Sequence, residues 1–334
     1  METVALGNTG EQVSALCLGT MYFGTNTDEE TSRHLLDRYI DGGGTFLDTA
    51  NTYSRWVKGF NGGESESLLG RWMKERKNRS ELFIASKVGF PNPPDDLEAG
   101  LSAEQIVRGC EGSLKRMGIE TIDLYYAHND DRRHSMDERL EAFNRLVKAG
   151  KVRYIGASNT MDWRLEEARW ISKTNGHPEF CAVQQRYTYV RPQAGAVYDP
   201  HCVVNDELLD YARNRGITIV AYSPLAKGAY TREDKRFPPE YHGSDTETRL
   251  SVLRDVSKEA GATLNQTVLA WMIRSQPVVI PITAASTIDQ LTENLGALSI
   301  ELSADQLTRL SQAGNTRQKN PLGQRQVIPG MKEG

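Results

Sequence analysis

Cysteine is scarce in this 334-residue chain: Cys17, Cys110, Cys181 and Cys202 lie far apart and form no CxxC pair. That excludes a disulfide-stapled scaffold and a cysteine zinc site, and it fits buried thiols in a reducing cytoplasm. Long apolar runs are missing as well. Nothing approaches the ~18 consecutive apolar residues of a membrane span, and the opening METVALGNTGEQ has no apolar signal core. A cytoplasmic protein without a membrane partner is therefore expected. Neither sign of charge dominates, since 40 Lys and Arg against 44 Asp and Glu leave a net charge of −4. The basic residues are also dispersed, so no nucleic-acid partner is expected. Six histidines, at 34, 128, 134, 177, 201 and 242, show no ligand spacing, so no metal is expected either. Composition has no break and no linker. One domain over 1–334 follows, ending in a polar coil tail or flap over 315–334. Nothing in the pattern bears on oligomeric state.

What is present is a regular change of period. Short β-branched or aromatic runs begin at Leu16, Thr45, Leu82, Ile122, Val152, Phe180, Thr218 and Val278, each bounded by Gly, Pro, Asn or Asp. Buried strands have this form. Helical patterns lie between them. Thr27–Glu30, Ser102–Gln105, Ser135–Glu138 and Ser303–Gln306 have the capping-box spacing, and Gly42–Gly44, Gly118, Gly150 and Gly216 stand where helices should stop. Eight such units predict a (β/α)8 TIM barrel, with a doubly wound sheet as the structural rival. A hairpin turned at Asn8-Thr9-Gly10 would close the lower mouth. Patterns near 246–260 and 264–273, and a last one from Ser303, supply two extra helices.

In such a barrel the strand C-termini form the active mouth. Here they end in Asp48 (with Tyr53 five residues on), Lys87, His128, Ser158-Asn159, Gln184 and Tyr222-Ser223. Each has an ordinary explanation: a loop-capping Asp, a snorkelling Lys, a satisfied core His, a loop Tyr. Together they suit carbonyl reduction. A phenol of pKa about 10 is a poor acid; a nearby ammonium from Lys87 would lower that pKa, with Asp48 holding the lysine. His128 would orient the carbonyl, and hydride must come from a nicotinamide.

Beyond those strand ends, the chain carries Val4–Gly10, Phe46–Ala50 with Tyr53, Gly63-Glu-Ser-Glu66, Ala85-Ser-Lys87 and Asp123–His128. Further on come Ile155–Asn159, Val183-Gln-x-x-Tyr187, Ala221–Leu225, and Ile280-Pro with Gln290–Asn294. In this order the set resembles the aldo-keto reductase family, of bacterial type, over nearly the full length. The resemblance implies that Asp48, Tyr53, Lys87 and His128 are a catalytic tetrad with Tyr53 as proton donor. It also implies an extended NADP(H) groove, with no need of the GxGxxG that this chain lacks. Ser158, Asn159 and Gln184 would hold the carboxamide and Tyr222 would stack on the ring. Ser223, Leu225, Lys227 and Gly228 would line the pyrophosphate path, and Gln290, Glu293 and Asn294 would meet the adenosine. Gly19-Thr20-Met21 would approach through backbone.

Two departures stand out. Thr283-Ala-Ala-Ser286 has no Lys or Arg where many family members place a cation for the 2′-phosphate, which leaves NAD(H) open as the cofactor. A lost charge-assisted pair is worth roughly 1.5–3 kcal/mol. The loop after Tyr53, residues 54–63, is longer than the family's usual link and brings in Trp56 and Phe60. With Tyr126 and Asn129 these are candidate substrate contacts, since aromatic faces suit sugars and other ring substrates. The expected partner is a small aldehyde, ketone or sugar carbonyl. Two other classes stay open: a Schiff-base lyase using Lys87, and a cofactor-binding regulatory barrel with little turnover.

Overall fold

The structure, a computed structural model, describes residues 1–91 and 100–315. Two short strands, β1 (Thr3–Ala5) and β2 (Gln12–Ser14), pair antiparallel. Eight more strands follow: β3 (Cys17–Gly19), β4 (Phe46–Asp48), β5 (Phe83–Val88), β6 (Ile122–Ala127), β7 (Val152–Ser158), β8 (Phe180–Arg186), β9 (Thr218–Tyr222) and β10 (Val279–Thr283). They close as a parallel barrel in the order β10-β3-β4-β5-β6-β7-β8-β9. This is the (β/α)8 barrel that the alternation predicts, and it excludes the open doubly wound sheet.

The helices follow from their caps and apolar faces. In α3 (Ala103–Met117), Ser102 accepts from the Gln105 amide while the Gln105 side chain accepts from the Ser102 amide. Ile106, Cys110, Leu114 and Met117 are buried along one stripe, and Gly118 ends the helix at φ 62°. The stripe faces the strands, where each fully buried large apolar side chain is worth about 1.5–3 kcal/mol. The Ser303 box closes in the same way at α10 (Ala304–Gln312), and Ser135 caps α4 (Met136–Lys148). One expected cap is displaced. Asp28, not Thr27, caps α1 (Glu29–Asp41), accepting from the Thr31 amide at 2.8 Å. Thr27 is already held by its backbone, with its amide on Tyr22 O and its carbonyl receiving Thr25 N.

The ring is completed by α2 (Glu64–Arg76), α5 (Asp162–Asn175), α6 (Asp206–Arg215), α8 (Leu264–Ile273) and α9 (Ile288–Gly296). The remaining helix, α7 (Ser244–Ala260), packs on α8 and α10, so α7 and α10 are the two additions. The hairpin seals the lower mouth. Its Leu6 and Val13 join Cys17, Phe46, Phe83, Leu124, Cys181 and Ile280 inside the barrel, and Gly7 N donates to Thr218 Oγ1 at 2.6 Å. At Gly7 (φ 53°) a Cβ would lie 2.5 Å from Cys181 O, so only glycine fits. The lower interior is thus filled by apolar side chains. The expected tail or flap over 315–334 falls, from residue 316 on, outside the described residues.

Candidate active site

Strand register brings the rim groups together. Asp48 ends β4 beside Ala85 of β5, and Lys87 lies beside Tyr126 of β6, so Asp48, Lys87 and His128 occupy three adjacent strand ends. Lys87 is fully buried and spends its donors on three acceptors: Asp48 Oδ1 at 2.5 Å, Thr49 O at 2.7 Å and Tyr53 OH at 2.7 Å. A buried ammonium is tolerable only when satisfied in this way. Asp48 also accepts from Tyr53 OH at 3.3 Å and from Gln184 Nε2 at 2.8 Å. His128 N donates to Val88 O at 2.8 Å, and its ring meets Tyr53 edge-on at 6.1 Å.

The electrostatics follow from this burial. Desolvation pushes the Lys87 amine down, and the Asp48 charge offsets part of that. Burial, with the Lys87 charge and then His201 adding to it, holds His128 well below the usual imidazole range, so it is neutral at pH 7. Its Nδ1 is buried without a partner among the described residues. The tautomer with the proton on Nε2 avoids an orphaned N–H and leaves a donor for a ligand. One expectation is corrected. Lys87 does not bring the Tyr53 phenol down on balance: burial and the Asp48 carboxylate outweigh the adjacent ammonium and hold it well above its ordinary value. Asp48 touches the phenol directly and would repel a phenolate, so the phenol stays protonated.

The groove residues lie along the same rim. Asn159 (φ 51°) donates to His128 O at 3.0 Å and to Ser158 Oγ at 3.1 Å, and accepts from Tyr222 OH at 2.9 Å. Gln184 has its amide donor on Asp48, which leaves its oxygen for a ligand. After Tyr222, four residues take left-handed backbone: Ser223, Ala226, Lys227 and Gly228, with Leu225 half-buried between them. The run closes as successive tight turns, with Ala226 N on Ser223 O at 3.1 Å and Gly228 N on Leu225 O at 2.8 Å. Asn265 joins these turns to α9, donating to Thr231 Oγ1 at 3.2 Å and Glu293 Oε1 at 3.4 Å. Gln290 Oε1 caps the Ser286 amide at 2.9 Å, and Asn294 is buried one turn on. Polar groups thus continue along the rim from Gln184 through the turns after Tyr222 to α9.

Several assignments shift. Gly19 is needed by the barrel itself, because a Cβ there would lie 2.7 Å from Ile282 Cγ2. Thr20 is buried and committed to Asp48 O and Ser65 Oγ, whereas Met21 is half-buried. Tyr126 is withdrawn as a substrate contact. Two residues below His128, it is fully buried among the inner apolar layer, against Gly156. Trp56 is 54% exposed and meets both Tyr53 and Tyr22 edge-on at 6.3 Å. Phe60 is half-buried and, among the described residues, makes no ring contact with Tyr53 or His128. Asn129 donates to Gly89 O at 3.0 Å and leaves a buried Oδ1 unpartnered among the described residues.

Sequence reasoning missed three aromatic neighbours of the mouth: Tyr22, Phe90 (4.8 Å from the His128 ring) and His201 (6.0 Å from the Tyr222 ring). Tyr22 and Phe90 closely follow strand ends, a signal that could have been used. His201 lies on a long loop and carries none. Arg232 was missed too: it packs on Gly228, with its guanidinium on Asp234 at 2.7 and 2.9 Å.

Comparison with known proteins agrees with this geometry. The model of the aldo/keto reductase family matches residues 15–315. The uncharacterized oxidoreductase YrpG of Bacillus subtilis is 37% identical over 328 residues, covering 93% of this chain and 95% of its own. Aldo-keto reductase yakc of Schizosaccharomyces pombe, whose name specifies NADP(+), is 31% identical over 86% of this chain and 83% of its own. A crystal structure of the thermostable aldo-keto reductase Tm1743 with the inhibitor epalrestat superposes with a TM-score of 0.73 at 31% identity, covering 93% of this chain and 99% of that one.

Proposed function

The chain belongs to the aldo/keto reductase family, and from that premise we propose that it is an NADP(H)-dependent reductase of a small carbonyl compound with Tyr53 as its acid. The observation that carries this reading is the contact of one buried ammonium, Lys87, with Asp48 and Tyr53 beside a neutral His128.

A nicotinamide cofactor supplies the hydride when bound. The chain does the rest. His128 Nε2–H donates to the carbonyl oxygen and aims it at Tyr53. The Tyr53 OH delivers the proton as negative charge develops on that oxygen. Lys87 stabilises the phenolate left behind, and Asp48 keeps Lys87 charged and in place. A high phenol pKa in the resting site keeps the acid loaded, and alcohol oxidation would run the same proton back. Ser158, Asn159 and the Gln184 oxygen would hold the carboxamide, Tyr222 the ring, and Ser223–Gly228 the pyrophosphate. Gln290, Glu293 and Asn294 would take the adenosine.

NADP(H) preference is supported by the name of the yakc relative. It needs a substitute for the cation absent from 283–286; we assign that role to the Ser286 and Thr287 hydroxyls, with a remote Arg such as Arg232 as the cation. Trp56, Tyr22 and Phe90 favour a substrate with an aromatic or ring body over a small polar aldehyde. The Schiff-base lyase is disfavoured, because three acceptors around Lys87 Nζ keep it protonated and without a lone pair.

The test is a fluorescence titration of the protein with NADPH and NADH, followed by turnover on aryl aldehydes, ketones and sugars. Tighter NADPH binding with turnover supports the reading. Tighter NADH binding keeps the reductase and overturns the cofactor preference. Binding without turnover on any carbonyl transfers support to a regulatory barrel.

A further inference from the structure

The N-terminal turn of α2, Gly63-Glu-Ser-Glu66, sits directly behind the strand ends and has no part in the chemistry above. Ser65 is fully buried and bonds to Thr20 Oγ1 at 2.7 Å, Thr20 O at 2.8 Å and Thr49 Oγ1 at 2.9 Å. It thereby braces the residue whose carbonyl receives Lys87. Glu66 is also fully buried. Its Oε1 receives Ser86 Oγ at 2.5 Å and its Oε2 receives Arg116 Nε at 2.7 Å. Ser86 immediately precedes Lys87 in β5, so its side chain points out to the helix layer while Lys87 points into the barrel.

The pair is locked from both sides. A Cβ at Gly63 would lie 2.5 Å from Arg116 Cδ, and one at Gly70 would lie 2.7 Å from Arg116 O, so α2 and α3 meet with no room to slide. A buried carboxylate is a costly brace, and apolar packing would join two helices as well. What the charge adds is a field at the strand end. We propose that Glu66 is a positioning residue for Lys87: through Ser86 and Arg116 it fixes the end of β5 and places a second negative charge behind the catalytic ammonium.

Among the described residues, the charged and titratable groups around Lys87 include Asp48 from β4, Tyr53 from the following turn, Tyr126 and His128 from β6 and its end, Cys17 from β3 and Glu66 from α2; burial keeps the Tyr126 phenol neutral. Arg116 and Cys110 face Glu66 from α3. Burial pushes the Cys110 thiol up to about 12 and the Cys17 thiol well above its ordinary value, so neither is charged at neutral pH. His128 is neutral as well. Asp48, and behind it Glu66 with its Arg116 partner, oppose loss of the proton from Lys87, whereas at Tyr53 it is Asp48 that does so.

The proposal rests on the Tyr53–Lys87 reading, and Tyr53→Phe separates the two, since full activity in that variant would defeat the reading whatever Glu66 does. The experiment is the pH profile of kcat/KM for the carbonyl substrate at saturating NADPH, with cofactor affinity and melting temperature measured alongside. Glu66→Gln removes one negative charge, so deprotonation becomes easier and the alkaline limb moves to lower pH, by about half a unit or more. Its kcat falls roughly tenfold with cofactor affinity unchanged. Glu66→Asp keeps the charge and restores the limb. Ser86→Ala keeps the charge and cuts the link, so kcat drops several-fold and the limb stays. A limb that stays put in Glu66→Gln, or one that moves equally in Glu66→Asp, would overturn the proposal. If Glu66→Gln does not fold, a wild-type kcat in Ser86→Ala overturns it.

Discussion

Strand β6 carries an acidic residue near its start and a histidine just past its end, and the two regions use charge in opposite ways. At the lower end, Asp123 Oδ2 accepts from Arg79 Nη2 at 2.7 Å and Ile84 N at 2.8 Å, and Oδ1 from Arg153 Nη1 at 3.0 Å. Both arginines reach solvent, and Arg153 continues to Glu11 beside the hairpin. Charge there is balanced, wet at its edge and shared with the element that seals the barrel. At the upper end Lys87 and Asp48 are dry, a phenol leans on both, and His128 is held neutral. Charge there is confined where it perturbs its neighbours. Identical chemistry of Asp with a cation gives cohesion at one end and a poised proton at the other, and the difference is water.

Asp123→Ala removes the carboxylate at the wet end. It should lower unfolding free energy by about 1–3 kcal/mol, the range discounted for the half-open arginines, while turnover below the melting transition stays near wild type. Denaturant melts and steady-state kinetics on one preparation check both halves. A large loss of turnover with little loss of stability would erase the distinction between the two ends.

The two ends also differ in their response to pH. His128 has its folded pKa pushed below the unfolded value of about 6.5. As pH falls through that value the unfolded chain gains a proton that the native site refuses, so stability declines on acidification, by up to about 1.4 kcal/mol per pH unit for one group. His128→Gln should flatten the slope between about pH 6.5 and 5, whereas Asp123→Ala should keep it. Melts at several pH values decide this. The smallest effect belongs to the rim: Trp56→Ala should raise KM for an aryl aldehyde roughly 2–10-fold with kcat nearly unchanged, the worth of one aromatic contact.

Much of this was legible beforehand because the barrel writes itself in periods. Short buried strands alternate with capped amphipathic helices, and several titratable residues at successive strand ends together mark the mouth. Depth along a strand was not legible: Tyr126 and His128 point the same way, yet the first lies one layer down in the apolar fill. Nor was the direction of the Tyr53 shift, which turns on a 3.3 Å approach to Asp48 that no spacing encodes. The cap at Asp28 and the ring of His201 depended on turns and a long loop, where chain direction is set by tertiary contacts. The brace through Glu66 was visible as a motif, but its partners Ser86 and Arg116 come together only when α2, α3 and β5 pack.

The central claim is that the dry end of the barrel holds Tyr53 as the acid of a carbonyl reduction. Its most direct test is the turnover of Tyr53→Phe beside its affinity for NADPH. A fall in kcat of ~10²–10⁴ is expected, with cofactor affinity and melting temperature little changed. Wild-type turnover from that variant would contradict it.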